Sequence, residues 1–161
     1  NWMFDASGNG GFYREANSRW YGYYVLGNDC WGFGGTTTSA SYKIYVTGAI
    51  YASGDIVAFS DERKKENIET IDSALDKVNS LRGVYFTRTD DESKRRQTGV
   101  IAQEVEKVLP EVVTHAAADE KDGDTNDEYG VNYGAMVGLL IEAVKELSTE
   151  VKQLKMRLGE E

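Results

Sequence analysis

Residues 43–60 repeat every six residues, and that repeat limits what the chain can become. Lys43 to Gly48 reads K-I-Y-V-T-G, Ala49 to Gly54 reads A-I-Y-A-S-G, and Asp55 to Ser60 reads D-I-V-A-F-S. Ile44, Ile50 and Ile56 hold the same place in each unit, and Gly48 and Gly54 close the first two. An even period carries the alternation of strand faces from one unit into the next, and glycine permits a corner. Three such units cannot bury their own apolar face. Copies of the chain wound around a shared axis are the simplest remedy, so a self-associating β stalk is expected over residues 43–60.

The stretch before the repeat is of a different kind. Residues 1–40 hold 8 of the 17 glycines and all three tryptophans. Turn signals at Asp5–Gly11, Gly27–Asp29 and Gly32–Gly35 separate aromatic runs such as Arg19–Leu26. Aromatic side chains suit a pleated surface, so residues 1–42 are expected to form short strands and tight turns. Large rings usually serve as core because of the area they bury. The alternative use is a platform for sugar. The opening Asn1-Trp2-Met3 carries no signal-peptide pattern and reads as an internal piece of a longer chain.

Charge narrows the function classes. The net charge is −9. Residues 1–59 contribute about −1 of it, from Arg14, Arg19 and Lys43 against Asp5, Glu15, Asp29 and Asp55, and the rest follows Phe59. An acidic balance argues against a nucleic-acid face, which needs a positive footprint. No apolar run approaches the length of a membrane span. Cys30 is the single cysteine, so one chain can form neither a disulfide framework nor a cysteine-based zinc site.

The composition changes at Phe59–Ile68, F-S-D-E-R-K-K-E-N-I. Ser60 admits two readings. As a helix N-cap it would be followed by Asp61 and Glu62 in the first turn, where negative charge suits the helix dipole. As a nucleophile it would need a base. The one histidine, His115, has no motif around it. Lys65 can be the base if burial and nearby positive charge lower its pKa, and Arg63 and Lys64 could supply that charge. Five residues place two side chains on opposite faces of a strand and about 140° apart on a helix. A Ser60–Lys65 pair therefore needs a turn, or a second chain.

Downstream, Ile68, Ile71, Leu75, Val78 and Leu81 predict an amphipathic helix stopped by Gly83. Val84–Thr87 predicts a strand, Asp90–Gln97 a charged turn, and Gln103–Leu109 a helix ended before Pro110. Gln103 and Glu104 are read as helix-opening caps rather than site residues. The acidic stretch 116–130 lacks the spacing of a calcium loop and reads as a solvated loop. Tyr129–Tyr133 predicts a strand leading into a helix over 134–158. There Val137, Val144, Val151 and Leu158 alternate with Leu140, Leu147 and Leu154 at 3.5-residue spacing, the pattern of a coiled coil. Val at one core position and Leu at the other favours two strands.

Two runs carry a resemblance to a known family. A-F-S-D-E-R-K-K-E-N-I, following I-Y-A-S-G-D-I, resembles the junction that opens the C-terminal intramolecular chaperone domain of endosialidases and other phage tailspikes and tail fibres. Ser60, Asp61, Arg63 and Lys65 match its S-D-x-R-x-K. G-V-I-A-Q-E-V-E-K-V-L-P-E-V-V resembles the family's second signature. The self-cleaving domain of the myelin regulatory factor is a more distant relative.

The resemblance implies an α+β protein in three parts. These are a Gly- and aromatic-rich β segment of the fibre tip (1–42), a triple-β-helix stalk (43–60) and a mixed chaperone domain (61–161) ending in the coiled-coil-like helix. It implies an intertwined homotrimer, three strands where the heptad rule alone gives two, with the upstream fibre β-helix as folding client. It implies a single-turnover serine-lysine endopeptidase that cuts its own chain. Ser60 and Lys65 would be catalytic, and Arg63, Asn67, Gln103 and Glu104 would support them, with no metal and no cofactor. A serine attacking the preceding carbonyl of Phe59 passes through a five-membered ring, and attack on its own carbonyl needs a four-membered one. Ring size favours Phe59–Ser60, but the resemblance points to Ser60–Asp61, which is the bond expected to be cut. The expected location is the virion, with assembly in the host cytoplasm and release of the chaperone after cutting. The alternatives are a non-cleaving trimer cap and a fibre tip that binds a host-surface glycan.

Overall fold

The structure, a computed structural model, describes residues 2–27, 29–34, 42–116 and 128–159. The chain divides into two compact units, residues 1–62 and 63–161. The first is all β and the second mixes helices with short strands.

In the first unit, strands β1 (Trp2–Phe4), β2 (Gly10–Arg14), β3 (Arg19–Val25), β4 (Cys30–Phe33) and β5 (Ile44–Val46) form one sheet in chain order. The first four pair antiparallel, and β5 lies parallel to β4. The turn signal at Asp5 works through its side chain, which accepts the N–H groups of Ser7 (2.8 Å) and Asn9 (3.0 Å) and the amide of Asn9 (2.9 Å). Gly11 has no alternative: a Cβ there would meet the carbonyl oxygen of Gly22 on β3 at 2.0 Å.

The expectation that the rings form a core fails within one chain. Among the described residues of this unit only Tyr23 and Cys30 are buried of the larger side chains, and Trp2, Phe4, Phe12 and Phe33 are exposed. A single sheet has two faces, and no second layer covers either among the described residues. The six-residue repeat behaves similarly. Its first triplet pairs as β5, Gly48 turns the chain at φ +130°, and residues 47–61 form no strand.

The second unit has a packed core of Ala74, Val105, Leu109, Val112, Leu139 and Ala143, each at most 9% exposed. Helix α1 (Ala74–Asn79) is shorter than its apolar pattern predicts. Asn67 and Ser73 adopt left-handed φ values of 52° and 47°, which a continuous helix cannot contain. Ile68 stays exposed, whereas Ile71, Leu75, Val78 and Leu81 pack on the core. Strands β6 (Val84–Phe86) and β7 (Gln97–Gly99) make a hairpin around the predicted charged turn. Helix α2 (Ala102–Val105) is followed by turns to Leu109 and a 3-10 turn at Pro110–Val112. Strand β8 (Val113–Ala116) pairs antiparallel with β9 (Glu128–Val131). The solvated loop predicted between them lies, at residues 117–127, outside the described residues.

The last helix, α3, spans Met136–Leu158. It starts two residues later than predicted because Tyr133–Ala135 form a 3-10 turn, held by Asn132 Oδ1 accepting the N–H of Ala135 at 3.2 Å. Gly159, at φ 72°, closes it. Two faces of α3 do different work. Leu139 and Ala143 enter the core, and one turn on the Glu146 carboxylate accepts the N–H groups of Ala74 (3.0 Å) and Leu75 (2.8 Å) at the start of α1. The heptad residues Val137, Leu140, Val144, Leu147, Val151, Leu154 and Leu158 lie about 100° around the helix. They are 43–72% exposed. Every residue from Leu147 to Leu158 is exposed.

Candidate functional site

The residues singled out in the sequence fall in two places. Ser60 lies in exposed chain without regular structure, near the end of the first unit. No regular helix starts there, so the cap reading does not hold in its simple form. A single 3-10 turn, Glu62–Lys64, follows. Lys65 comes directly after it and opens the second unit with Arg63 and Lys64, all exposed. Asn67 bends the chain through its left-handed conformation, which asparagine tolerates better than most residues. One 3-10 turn thus separates the two residues along the chain. The burial that a lysine base would require is not supplied by one chain.

Gln103 and Glu104 sit one after the other in α2 and serve different neighbours. Neither caps the helix, whose N-cap position is Ile101. Glu104 turns to Arg82, whose Nε donates at 3.2 Å and whose Nη2 donates to the other carboxylate oxygen. Those hydrogen bonds hold the Glu104 carboxyl below the ordinary carboxylate range and raise Arg82. This bidentate pair ties the segment after α1 to α2. Gln103 instead opens onto a polar cleft of about 580 Å³, shared with Arg88, Glu128, Tyr129 and Tyr133. Arg88 is oriented by Asp90, with Nε donating at 2.8 Å, and that carboxyl is lowered in turn.

Arg82, Arg88, Tyr129, Tyr133 and Glu146 were not singled out by sequence reasoning. Their roles arise from pairings across the chain, such as Glu146 with Ala74, that no local pattern announces. His115 also proves to be paired rather than idle. Its Nε2 meets Glu106 Oε1 at 2.7 Å, and its ring packs on Tyr129 with centroids 4.5 Å apart. Among the described residues no cluster of three His, Cys, Asp or Glu could hold a metal ion. No described helix is long and apolar enough to cross a membrane.

Residues 60–114, from the candidate serine through β8, match the family model described as chaperone of endosialidase. The chain carries a domain of the endosialidase-chaperone family. The match starts at Ser60 and takes in Lys65, Gln103 and Glu104. The domain is similar to the long tail fibre protein Gp37 of Enterobacteria phage K3, at 38% identity over 62% of this chain and 8% of that protein. It is similar to the Gp37 of Enterobacteria phage M1, at 33% identity over 74% of this chain and 50% of that protein. A myelin gene regulatory factor-like protein of Dictyostelium discoideum matches at 28% identity over 73% of this chain and 14% of its own length. The chain therefore spans half or less of these relatives.

Proposed function

We propose that this chain is the end of a phage tail fibre, and that its second unit is an intramolecular chaperone. The unit assembles three copies and then cuts itself free at Ser60. The observation that carries the assembly role is the double use of α3. One side is committed to the domain's own core, while a complete heptad seam stays open along the other. A seam of this kind is stable only against another helix. The unit is built from local helices and hairpins, which form fast, whereas β stalks depend on non-local pairing and form slowly. A fast-folding clamp that holds three copies of residues 43–60 in register answers that mismatch.

The cleavage step follows from the chemistry around the 3-10 turn. Lys65 takes the proton of the Ser60 hydroxyl. Oγ adds to a peptide carbonyl carbon, the C–N bond breaks, and the new amine leaves with the proton from Lys65. Water then hydrolyses the ester and restores the hydroxyl. Association of the copies supplies the burial that a lysine base requires and that one chain does not give. Cutting at Ser60–Asp61 requires the serine of a second copy, or an activated water, because attack on its own carbonyl closes a four-membered ring. Cutting at Phe59–Ser60 can occur within one chain. Asn67 bends the chain just after Lys65, and Gln103 borders the polar cleft of the same unit. Removal of the chaperone leaves the fibre without the module that nucleated it, hence kinetically trapped.

The exposure of Lys65 favours one rival, a cap that assembles but never cuts. Intact-mass spectrometry of the parent, Ser60→Ala and Lys65→Ala chains separates the two. Two fragments from the parent and none from either variant are expected, with the masses naming the bond. An oligomeric parent that stays whole on prolonged incubation leaves the assembly role alone.

A further inference from the structure

The first unit presents an aromatic face that the chaperone role does not use. Strand alternation puts Trp2, Phe4, Phe12, Trp31, Phe33 and Ile44 on one side of the sheet. Trp2 lies at the centre, edge-on to Phe12 at 5.3 Å, Trp31 at 5.9 Å and Phe4 at 6.2 Å. Two glycines form the floor: a Cβ at Gly10 would meet Phe4 and Trp2, and one at Gly22 would touch Phe12 and Phe33. The rings are ordered against each other, yet five of these side chains are 42–68% exposed.

We infer that this face is the contact between copies of the chain in the fibre part, continuous with the stalk. The inference rests on the proposed three-copy assembly and adds its second interface. Three observations favour a copy over a sugar. The face is mostly hydrocarbon, with indole N–H groups and the Tyr24 hydroxyl as its polar atoms, whereas a sugar platform needs several placed polar partners. The hydroxyls of Tyr23 and Tyr24 are already committed to Asp5 and Asp29. Ile44, at the edge of the face on β5, is the first isoleucine of the six-residue repeat, whose later members Ile50 and Ile56 are likewise open, at 70% and 82% exposed. The open aromatic area is on the order of 500 Å² per copy. That is as large as the largest patches on monomers and more than half of one side of a standard interface.

The test uses the full chain with Ser60→Ala, so that both units stay together, and Trp20→Phe, so that Trp2 and Trp31 report. Acrylamide quenching and sedimentation are measured on this parent, on Phe12→Glu and on the seam variant Leu147→Glu. The assembled parent is expected to quench several-fold less steeply than Phe12→Glu, which keeps the seam-driven mass, while Leu147→Glu loses mass. A parent that assembles but quenches like Phe12→Glu overturns the inference and leaves the seam reading intact. A parent that is monomeric at every concentration overturns both. Protection that appears only with a lipopolysaccharide oligosaccharide panel makes the face a glycan site and also overturns it. Phe12→Cys with a bismaleimide guards against misfolding of the charged variant. Linked copies are expected, and their absence from a folded assembly counts against the face.

Discussion

The two units of this chain solve the problem of burial in opposite ways. The second, residues 63–161, closes a core of its own, from Ala74 on α1 to Leu139 and Ala143 on α3. The first, residues 1–62, is a single sheet whose largest side chains lie open, followed by a repeat that pairs only at Ile44–Val46. Layered folds hide one sheet face against another layer. A unit without that layer depends on partners, and a unit with it can fold first. This asymmetry is what a chaperone and its client would need.

Substitutions can sharpen or break the comparison. The largest effect is expected in the second unit. Leu139→Ala removes a fully buried side chain and should destabilise that unit by about 2–5 kcal/mol, read as a lower urea midpoint in far-ultraviolet circular dichroism. An unchanged midpoint would mean the core does not hold the unit together. Gly11→Ala should strike the first unit, because its Cβ meets backbone on β3. A cost of about 1–3 kcal/mol is expected from such crowding, seen as altered tryptophan emission while the helical signal persists. Parallel loss of both signals would erase the distinction between the units.

Glu146→Gln tests a smaller tie. The charged acceptor that holds the first N–H groups of α1 becomes a neutral one, and a loss of about 1 kcal/mol is expected. Faster amide exchange at Ala74 and Leu75, with the rest of the core unchanged, is the signature. The smallest effect concerns acid. Glu104 is lowered chiefly by its hydrogen bonds from Arg82. A lowered carboxyl stabilises the fold above its ordinary range and ceases to do so as pH falls through the folded value. The urea-midpoint difference between parent and Arg82→Gln should be steady above about pH 5 and shrink towards zero below about pH 3. A difference that persists in acid would point to packing. In the first unit the sign reverses for Tyr23, raised by burial and by Asp5. Its contribution is present below the ordinary tyrosine range and lost as pH rises through the folded value.

Much of the second unit was legible because its signals are local. The strand Val84–Phe86, the strand ending at Val131 and the heptad helix follow from alternation, turn chemistry and spacing, whereas β7, which takes Gln97 out of the predicted turn, does not. The predicted helix from Ile68 came out shorter because apolar spacing records which side chains turn inward, not whether the backbone between them is helical. Ile71 reaches the core from irregular chain, and two left-handed residues break the helix before Ala74. At the candidate site, the turn between Ser60 and Lys65 could be argued from side-chain reach. The partners of Glu104 and Gln103 could not, since Arg82 and Tyr129 are brought there by the fold.

The sequence by itself determined the periodicities: a six-residue repeat, a seven-residue seam and the serine-lysine turn that divides the glycine-rich from the charged half. These depend on backbone geometry, which every chain shares. Only the tertiary structure decided which apolar faces are used up within the chain. It sends Leu139 and Ala143 inward and leaves Leu140, Val144 and Leu147, one residue further round the same helix, in solvent. A difference of about 100° in direction is invisible to hydrophobicity and is set by the elements that pack against the helix.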